Sequence, residues 1–310
     1  MNKKIKEHAV IKKSIVLPAF FPSSMENEKD FLESIKLLKE NYIDIVEFYY
    51  KGNNKENIKK YLNKYGFKSI YLAAMKAKQE NLNLSSLSQE IREKSIEEIK
   101  KCIDDAYFYN SESLLVNSGK RPMIVSIDDK EKNIEAAYEY FKQSLLIILE
   151  YIEKKSKNYK LKLTLEPGDT DVDSFSLIGP TDLSIGLIKE LREKYENVSL
   201  TIDTSHLLQL GEDPITSIKK TFPYCNHIHL ANCIIKDKSH ELYGDKHPEF
   251  GVEGGEINLN ELNDMIEEIK KLYKKTDLIL GLEIIYRNKN NNKNYEFNYF
   301  KNTTEKLNWI

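Results

Sequence analysis

The stretch NVSLTIDTSHLLQL, residues 197–210, begins as a strand. It then contains two ionisable residues, Asp203 and His206, that a buried strand does not need. Successive side chains of a strand point to opposite faces, so Leu200 and Ile202 would face one way and Asp203 the other. His206 follows three residues after Asp203. Parallel strands that are buried on both faces usually read as continuous apolar runs. The polar face of this strand therefore indicates that it borders something other than an ordinary apolar core.

Seven further β-rich segments are spaced along the chain. They are SIVLPAFF (14–21), YIDIVEFYY (42–50), FKSIYLAAM (67–75), ESLLVNSG (112–119), LKLTLEPG (161–168), CNHIHLAN (225–232) and DLILGLEII (277–285). Between them lie charged segments with apolar residues at i, i+3, i+4 and i+7, which is typical of amphipathic helices. Eight strands alternating with helices predict an α/β fold of the (β/α)8 TIM-barrel type. We expect one domain over 1–310, and an open doubly wound sheet is the alternative that the pattern allows.

Composition excludes several classes of protein. The 310 residues contain 47 Lys and Arg against 49 Asp and Glu, so no global charge favours nucleic acid or an anionic membrane. Three cysteines without a C-x-x-C spacing suit a reducing cytosol. No apolar run approaches the roughly 18 residues of a membrane helix, and the basic start of the chain lacks a signal-peptide cleavage site. We expect a cytoplasmic protein without nucleic-acid or membrane partners.

The last four strands share an ionisable residue at the C-terminal edge of their lumen-facing side. These residues are Glu166, Asp203, His229 and Glu283. TIM barrels carry their active sites at this edge. Three carboxylates that converge in a partly dry mouth repel one another unless a cation neutralises them. The pattern favours a metal site with Asp203 as a ligand, although any one of the four residues alone could simply pair with a lysine or a helix end.

Three neighbouring residues allow more than one interpretation. His206 lies just above Asp203 and is expected beside the metal or facing a substrate, with a loop or capping histidine as the alternative. His227 lies one layer deeper, which predicts a hydrogen-bonded core histidine. Glu47 could also face the site, but a structural ion pair is the favoured interpretation.

Several motifs from about residue 160 onward carry a resemblance to a known family. They are LTLEPG, IDTSH, HIHLAN, GDKHPEFGVEGGEINL and LGLEI, in this order and at the strand ends. Together they resemble the xylose isomerase-like barrel superfamily, which contains sugar phosphate isomerases and epimerases and the related abasic-site endonucleases. The resemblance implies one divalent metal, held by Glu166, Asp203, His229 and Glu283. Mn²⁺, Mg²⁺, Co²⁺ and Zn²⁺ all suit three oxygen ligands and one imidazole.

The isomerase and epimerase branch implies proton transfer on a ketose or aldose through a metal-stabilised enediolate. Glu166 and Glu283 would then be the catalytic acid and base. His206 would bind a substrate oxygen, while Asp245 and His247 would shape the loop or contact the far end of the sugar. The expected partner is a small sugar or sugar-like ketose, free or phosphorylated, and such barrels commonly form homo-oligomers.

The endonuclease branch assembles three zinc ions with additional histidines after the third and fourth strands. Here no histidine occurs between His8 and His206, and Asn117 lies near an expected position. The first zinc site of that branch therefore cannot form in the same way. A second metal at His206, Asp245 and His247 remains open, and so does a barrel that binds a sugar without turning it over.

Overall fold

The computed structural model describes residues 9–122, 127–156, 158–287 and 293–309. Eight parallel strands follow one another around a closed barrel in sequence order, and the last strand pairs with the first. They are β1 (Ile11–Val16), β2 (Ile45–Phe48), β3 (Lys68–Leu72), β4 (Ser113–Val116), β5 (Lys162–Leu165), β6 (Val198–Asp203), β7 (Cys225–Leu230) and β8 (Leu278–Leu282). The predicted (β/α)8 TIM barrel is confirmed, and the open doubly wound alternative is wrong.

Helices occupy the connections between the strands. They are α1 (Leu17–Phe20), α2 (Glu28–Glu40), α3 (Lys55–Tyr65), α4 (Ala73–Gln79), α5 (Gln89–Tyr109), α6 (Ile127–Lys155), α7 (Thr181–Arg192), α8 (Thr204–Gln209), α9 (Pro214–Thr221), α10 (Leu259–Leu272) and α11 (Lys293–Thr304). Local sequence explains several helix starts. In α10, the Asn258 side chain accepts from the Glu261 backbone and the Glu261 side chain accepts from the Asn258 backbone, a reciprocal capping box. None of the helices within the described ranges is long and apolar enough to cross a membrane.

Each strand ends before the last residue of its predicted segment, and two predicted segments continue for several residues into a helix. The segment 14–21 leaves β1 at Val16 and continues as α1, and the segment 67–75 leaves β3 at Leu72 and continues as α4. Pro18 is the second residue of α1, where its missing N–H is one that a helix leaves unpaired in any case. A short apolar run does not by itself distinguish a buried strand from a buried helix, which explains both differences.

The strands have two buried faces, one packed against the helices and one lining the lumen, and the two faces differ in polarity. The side chains that face the helices form a large apolar core, which includes Leu200, Ile202, Leu280 and Leu282. The lumen is polar instead: Ser14, Glu47, Thr201, His227 and His229 are all buried there, with at most 1% of their surface exposed. Burying such groups is unfavourable unless they are paired, so their hydrogen bonds decide the geometry of the lumen. The candidate site lies at the C-terminal end of this polar column.

Candidate metal centre and active site

The structure brings the four predicted ligand residues together at the C-terminal edge of the barrel. Glu166 directly follows β5, Asp203 ends β6, His229 lies in β7 and Glu283 directly follows β8. One donor atom from each residue lies within 4.8 Å of the others. Successive parallel strands deliver their ends to the same edge, so residues far apart in sequence meet here.

Asp203 uses its two carboxylate oxygens differently. Oδ1 caps α8 by accepting hydrogen bonds from the Ser205 backbone at 2.7 Å, the Ser205 hydroxyl at 2.5 Å and the His206 backbone at 3.1 Å. Oδ2 is buried and has no hydrogen-bond partner among the described residues. A buried carboxylate oxygen without a partner is costly. The strand therefore ends on aspartate for two reasons: one oxygen starts the next helix, and the other is available to a cation.

His229 lies between the two glutamates. Its Nδ1 is 2.8 Å from Oε1 of Glu166 and 3.1 Å from Oε2 of Glu283. Burial alone would lower the pKa of His229, but the surrounding carboxylates, with Glu47 first, raise it well above its ordinary value. The donor set fits a divalent cation, because three carboxylates and one imidazole suit Mn²⁺, Mg²⁺, Co²⁺ or Zn²⁺.

The three predicted substrate-binding residues form a second cluster beside this set. Oδ1 of Asp245 accepts from Nε2 of His206 at 3.2 Å and from Nε2 of His247 at 2.6 Å. Nδ1 of His206 donates to the carbonyl of Pro167 at 2.9 Å. Burial alone would raise the pKa of Asp245, but His247 and His206 hold it well below its usual range. The cluster is thus an anion held between two imidazoles.

The two histidines of this second cluster also belong to a candidate metal site, in which Asp203 takes the place of Asp245. Ligand atoms of Asp203, His206 and His247 lie within 4.8 Å of one another. His247 has a positive φ of 43°, an uncommon backbone conformation outside glycine, and its buried Nδ1 has no hydrogen-bond partner among the described residues. That nitrogen lies 3.6 Å from Oε1 of Glu283. Strained residues with a free donor atom cluster at functional sites.

The loop after β5 and helix α4 hold Asp245 in place. The Asp245 N–H donates to Oδ2 of Asp173 at 3.1 Å, and the Ser174 hydroxyl donates to Oδ2 of Asp245 at 2.9 Å. Lys78, near the end of α4, donates to the same oxygen at 3.0 Å. Since α4 follows β3 and Asp245 follows β7, this ion pair crosses the barrel mouth. Sequence reasoning missed Lys78 and Ser174, because nothing in a sequence indicates contacts between distant loops.

Comparison with known proteins identifies the family of the chain. Residues 33–302 match the family model described as xylose isomerase-like TIM barrel. The chain belongs to the xylose isomerase-like TIM barrel family. The resemblance stated from the motifs after residue 160 is thereby confirmed. No curated protein sequence matches the chain.

Several solved structures share the fold over nearly the whole chain. A D-tagatose 3-epimerase-like protein is 19% identical, with a TM-score of 0.68 over 96% of this chain and 98% of that chain. An AP endonuclease of family 2 from Brucella melitensis is 16% identical, with a TM-score of 0.63 over 97% of each chain. The IOLI protein, whose structure holds a zinc atom, is 13% identical, with a TM-score of 0.65 over 94% of this chain and 96% of that chain. At such identities the likeness shows the fold alone.

Within this xylose isomerase-like barrel, two lumen residues lie directly beneath the candidate ligands. His227 has both ring nitrogens in hydrogen bonds, with the Thr201 hydroxyl at 3.1 Å and Oε1 of Glu47 at 3.0 Å, which confirms a satisfied core histidine. Oε2 of Glu47 is 2.9 Å from Nε2 of His229. Burial opposes ionisation of Glu47, but His227 and His229 outweigh it and lower its pKa. Glu47 therefore pairs with two histidines, one of which is a candidate ligand.

Proposed function

We propose that the chain is a divalent-metal-dependent isomerase or epimerase of a sugar or sugar-like ketose, free or phosphorylated. The proposal covers residues 1–310 as one domain, a place in carbohydrate metabolism and a cytoplasmic location. The observation that carries it is the buried, unpartnered Oδ2 of Asp203, which shares a site with three further donor residues. Family membership supports the enzyme class, and a D-tagatose 3-epimerase-like protein has the same fold.

Glu166, Asp203, His229 and Glu283 would hold the cation. When bound, a divalent cation polarises the adjacent oxygens of the sugar, which acidifies the neighbouring C–H and stabilises the enediolate. Asp203 and His229 are almost fully buried, at 1% exposure each, so they serve only to bind. This division leaves the two glutamates for the chemistry.

Glu166 and Glu283 are the two ligand residues that reach solvent, with 13% and 14% of their side-chain surface exposed. Burial opposes ionisation of Glu283, but His247 and His229 keep its pKa below the ordinary value for glutamate. Glu283 is therefore a carboxylate at neutral pH and suits proton removal. One glutamate would remove the proton, and the other, in its protonated form, would donate its own proton to the opposite face (epimerisation) or to the adjacent carbon (isomerisation).

His206, Asp245 and His247 would contact the sugar. Nδ1 of His206 is held by the Pro167 carbonyl, which aims the opposite nitrogen of the ring into the cluster. In the structure this nitrogen donates to Asp245, so a substrate oxygen would share that N–H or take it over while the ring keeps its orientation. Asp245 and its loop would then contact the end of the sugar that lies farther from the cation.

The test combines metal content with isotope exchange. Purified protein is analysed for bound metal and then incubated with a panel of free and phosphorylated ketoses in heavy water, with and without added Mn²⁺. We expect about one divalent ion per chain and solvent deuterium at the carbon next to the carbonyl of the true substrate. Turnover without exchange would contradict proton transfer and indicate a hydride shift.

One observation favours a second candidate function, metal-dependent cleavage of DNA at abasic sites. The Asp203, His206 and His247 cluster could hold a second cation, and an AP endonuclease of family 2 shares the fold. Incubating the same preparation with an abasic-site oligonucleotide tests it, and cleavage without ketose turnover would favour the endonuclease. Sugar binding without turnover on any substrate would instead leave a non-catalytic barrel.

A further inference from the structure

The imidazole of His229 is held from both sides. Its Nδ1 faces Glu166 and Glu283 at the candidate metal site, while its Nε2 is 2.9 Å from Oε2 of Glu47. Glu47 comes from β2, on the other side of the lumen, and is fully buried. An ionised carboxylate only accepts hydrogen bonds, so Nε2 of His229 is protonated and donates a hydrogen bond to Glu47.

The Glu47 carboxylate is itself fixed. Its Oε1 accepts from the Ser14 hydroxyl at 2.6 Å and from Nε2 of His227 at 3.0 Å. His227 is fixed in turn by the Thr201 hydroxyl at 3.1 Å. All of these side chains are buried in the lumen, so Glu47 cannot turn away from His229 without leaving several polar groups unpaired.

A glycine in β8, next to His229 in β7, makes room for the Glu47 carboxylate. A Cβ added to Gly281 in β8 would lie 2.7 Å from Oε1 of Glu47, 2.8 Å from Cδ2 of His229 and 2.8 Å from the Ser14 hydroxyl. Glycine inside a strand weakens it and often marks a site that another group approaches closely. The position of Gly281 thus agrees with a pocket shaped around the contact between Glu47 and His229.

We propose that Glu47 is a positioning residue for the metal centre. With its Nε2–H held by Glu47, His229 presents Nδ1 to the space shared with Glu166, Asp203 and Glu283, and Nδ1 would lose its proton to bind a cation there. Partners of this kind that orient a ligating histidine typically change metal affinity about 10- to 100-fold when they are removed. The inference rests on the proposed metal-dependent function and adds a residue outside the ligand set.

The first test compares Mn²⁺ affinity with stability in two variants of the full chain. Glu47→Gln keeps the shape of the side chain, but an amide cannot accept from both His227 and His229. We expect Mn²⁺ binding, followed by electron paramagnetic resonance of the free ion, to weaken about 10- to 100-fold. Ser69→Ala, the matched control, removes a buried hydrogen bond between the Ser69 and Ser111 side chains but none to Glu47 or His229. It should lower the urea midpoint of the metal-free protein while leaving Mn²⁺ affinity near that of the wild type.

The outcomes separate this inference from the function on which it rests. Wild-type protein that binds Mn²⁺ while Glu47→Gln binds it equally well overturns the positioning role and leaves the function intact. Wild-type protein that binds no metal removes both. Two ions per chain in the wild type, with one lost in Glu47→Gln, would make Glu47 a ligand of a deeper site with His227 and His229, and would also overturn the proposal.

A second measurement needs no variant and so does not depend on how well Glu47→Gln folds. Wild-type protein with ¹⁵N-labelled histidine is loaded with ¹¹³Cd²⁺, a diamagnetic probe for the site. We expect scalar coupling from cadmium to Nδ1 of His229 and a proton retained on its Nε2. Coupling to Nε2 would show that the Glu47 contact does not orient the ring, and would overturn the inference.

Discussion

The two halves of the barrel are alike in backbone and different in chemistry. Strands β1 to β4 end in Val16, Phe48, Leu72 and Val116, all at most 2% exposed and part of the apolar core. Strands β5, β7 and β8 also end in buried leucines, but β6 ends in Asp203, and Glu166, His229 and Glu283 lie one residue from the other three ends. One half therefore provides packing and the other provides the candidate ligands. Among the described residues, two side chains of the first half contact the site. Glu47 contacts His229 from beneath, and Lys78 contacts Asp245 from above.

Among the proposed variants, Glu283→Gln in the second half should cause the largest loss of turnover. It keeps the side-chain size but removes the negative charge and the basic oxygen pair needed for proton transfer. Loss of a general base typically slows turnover about 10²- to 10⁴-fold, and we expect a loss in this range. The measurement is kcat on the substrate identified by deuterium exchange, with circular dichroism to follow folding.

Glu112→Gln is the matched control from the first half. Glu112 immediately precedes β4, at the opposite end of the barrel, and pairs with Lys12 at 3.6 Å and Lys68 at 3.8 Å. This variant should keep full turnover. Full activity in Glu283→Gln would exclude Glu283 from proton transfer, and equal losses in both variants would mean that the halves do not differ in the proposed way.

Asp203→Asn separates the two tasks of one residue. Asparagine also caps helices well, so α8 should still form, but an NH2 group, which cannot ligate a cation, replaces the unpartnered Oδ2. We expect metal affinity to fall at least about 10-fold, as in other metal sites with perturbed coordination, while the urea midpoint of the metal-free protein stays close to wild type.

Asp203→Ala sharpens this test, because it removes the cap as well. Loss of a cap costs about 0.5–2 kcal/mol, so this variant should lose both metal affinity and stability. If Asp203→Asn destabilises the metal-free protein as much as Asp203→Ala does, the capping and the binding oxygens are not independent.

The same contrast explains what could be predicted from the sequence. The polar alternation of the last four strands predicts the barrel edge at which their ionisable residues meet, because strand periodicity is local. The first four strands lack that alternation, so the ends of β1 and β3 were placed beyond Val16 and Leu72, inside α1 and α4. Long-range contacts were only partly within reach. Glu47 was interpreted as a structural ion pair, which its contacts with His227 and His229 confirm, but those partners were not named and Lys78 had no assigned role.

Gly281→Ala tests the narrow contact between the halves. Its Cβ would fall within 2.8 Å of side-chain atoms of Glu47, His229 and Ser14 in a rigid lumen. Overpacking a core typically costs about 1–3 kcal/mol, which we expect in the free energy of unfolding from urea titration. In Gly186→Ala, the control in α7, the new Cβ meets nothing within 4 Å and replaces a poor helix former, so stability should hold or rise by up to about 1 kcal/mol. A neutral Gly281→Ala would mean that the lumen yields more easily than its hydrogen bonds indicate.

Lys78→Met removes the ion pair that crosses the mouth and should have the smallest effect. The Lys78 side chain is 71% exposed while its partner Asp245 is 8% exposed, and exposed pairs contribute about 0–1 kcal/mol. Lys236→Met is a close control, because Lys236 is 80% exposed and pairs with Glu256, which is also 8% exposed, but both lie on the loop after β7. We expect urea titration to give similar losses below about 1 kcal/mol for the two variants, since neither lysine contacts a candidate ligand. A clearly larger loss of stability for Lys78→Met would mean that the ion pair between Lys78 and Asp245 holds the two halves together. The first half would then stabilise the site as well as the core.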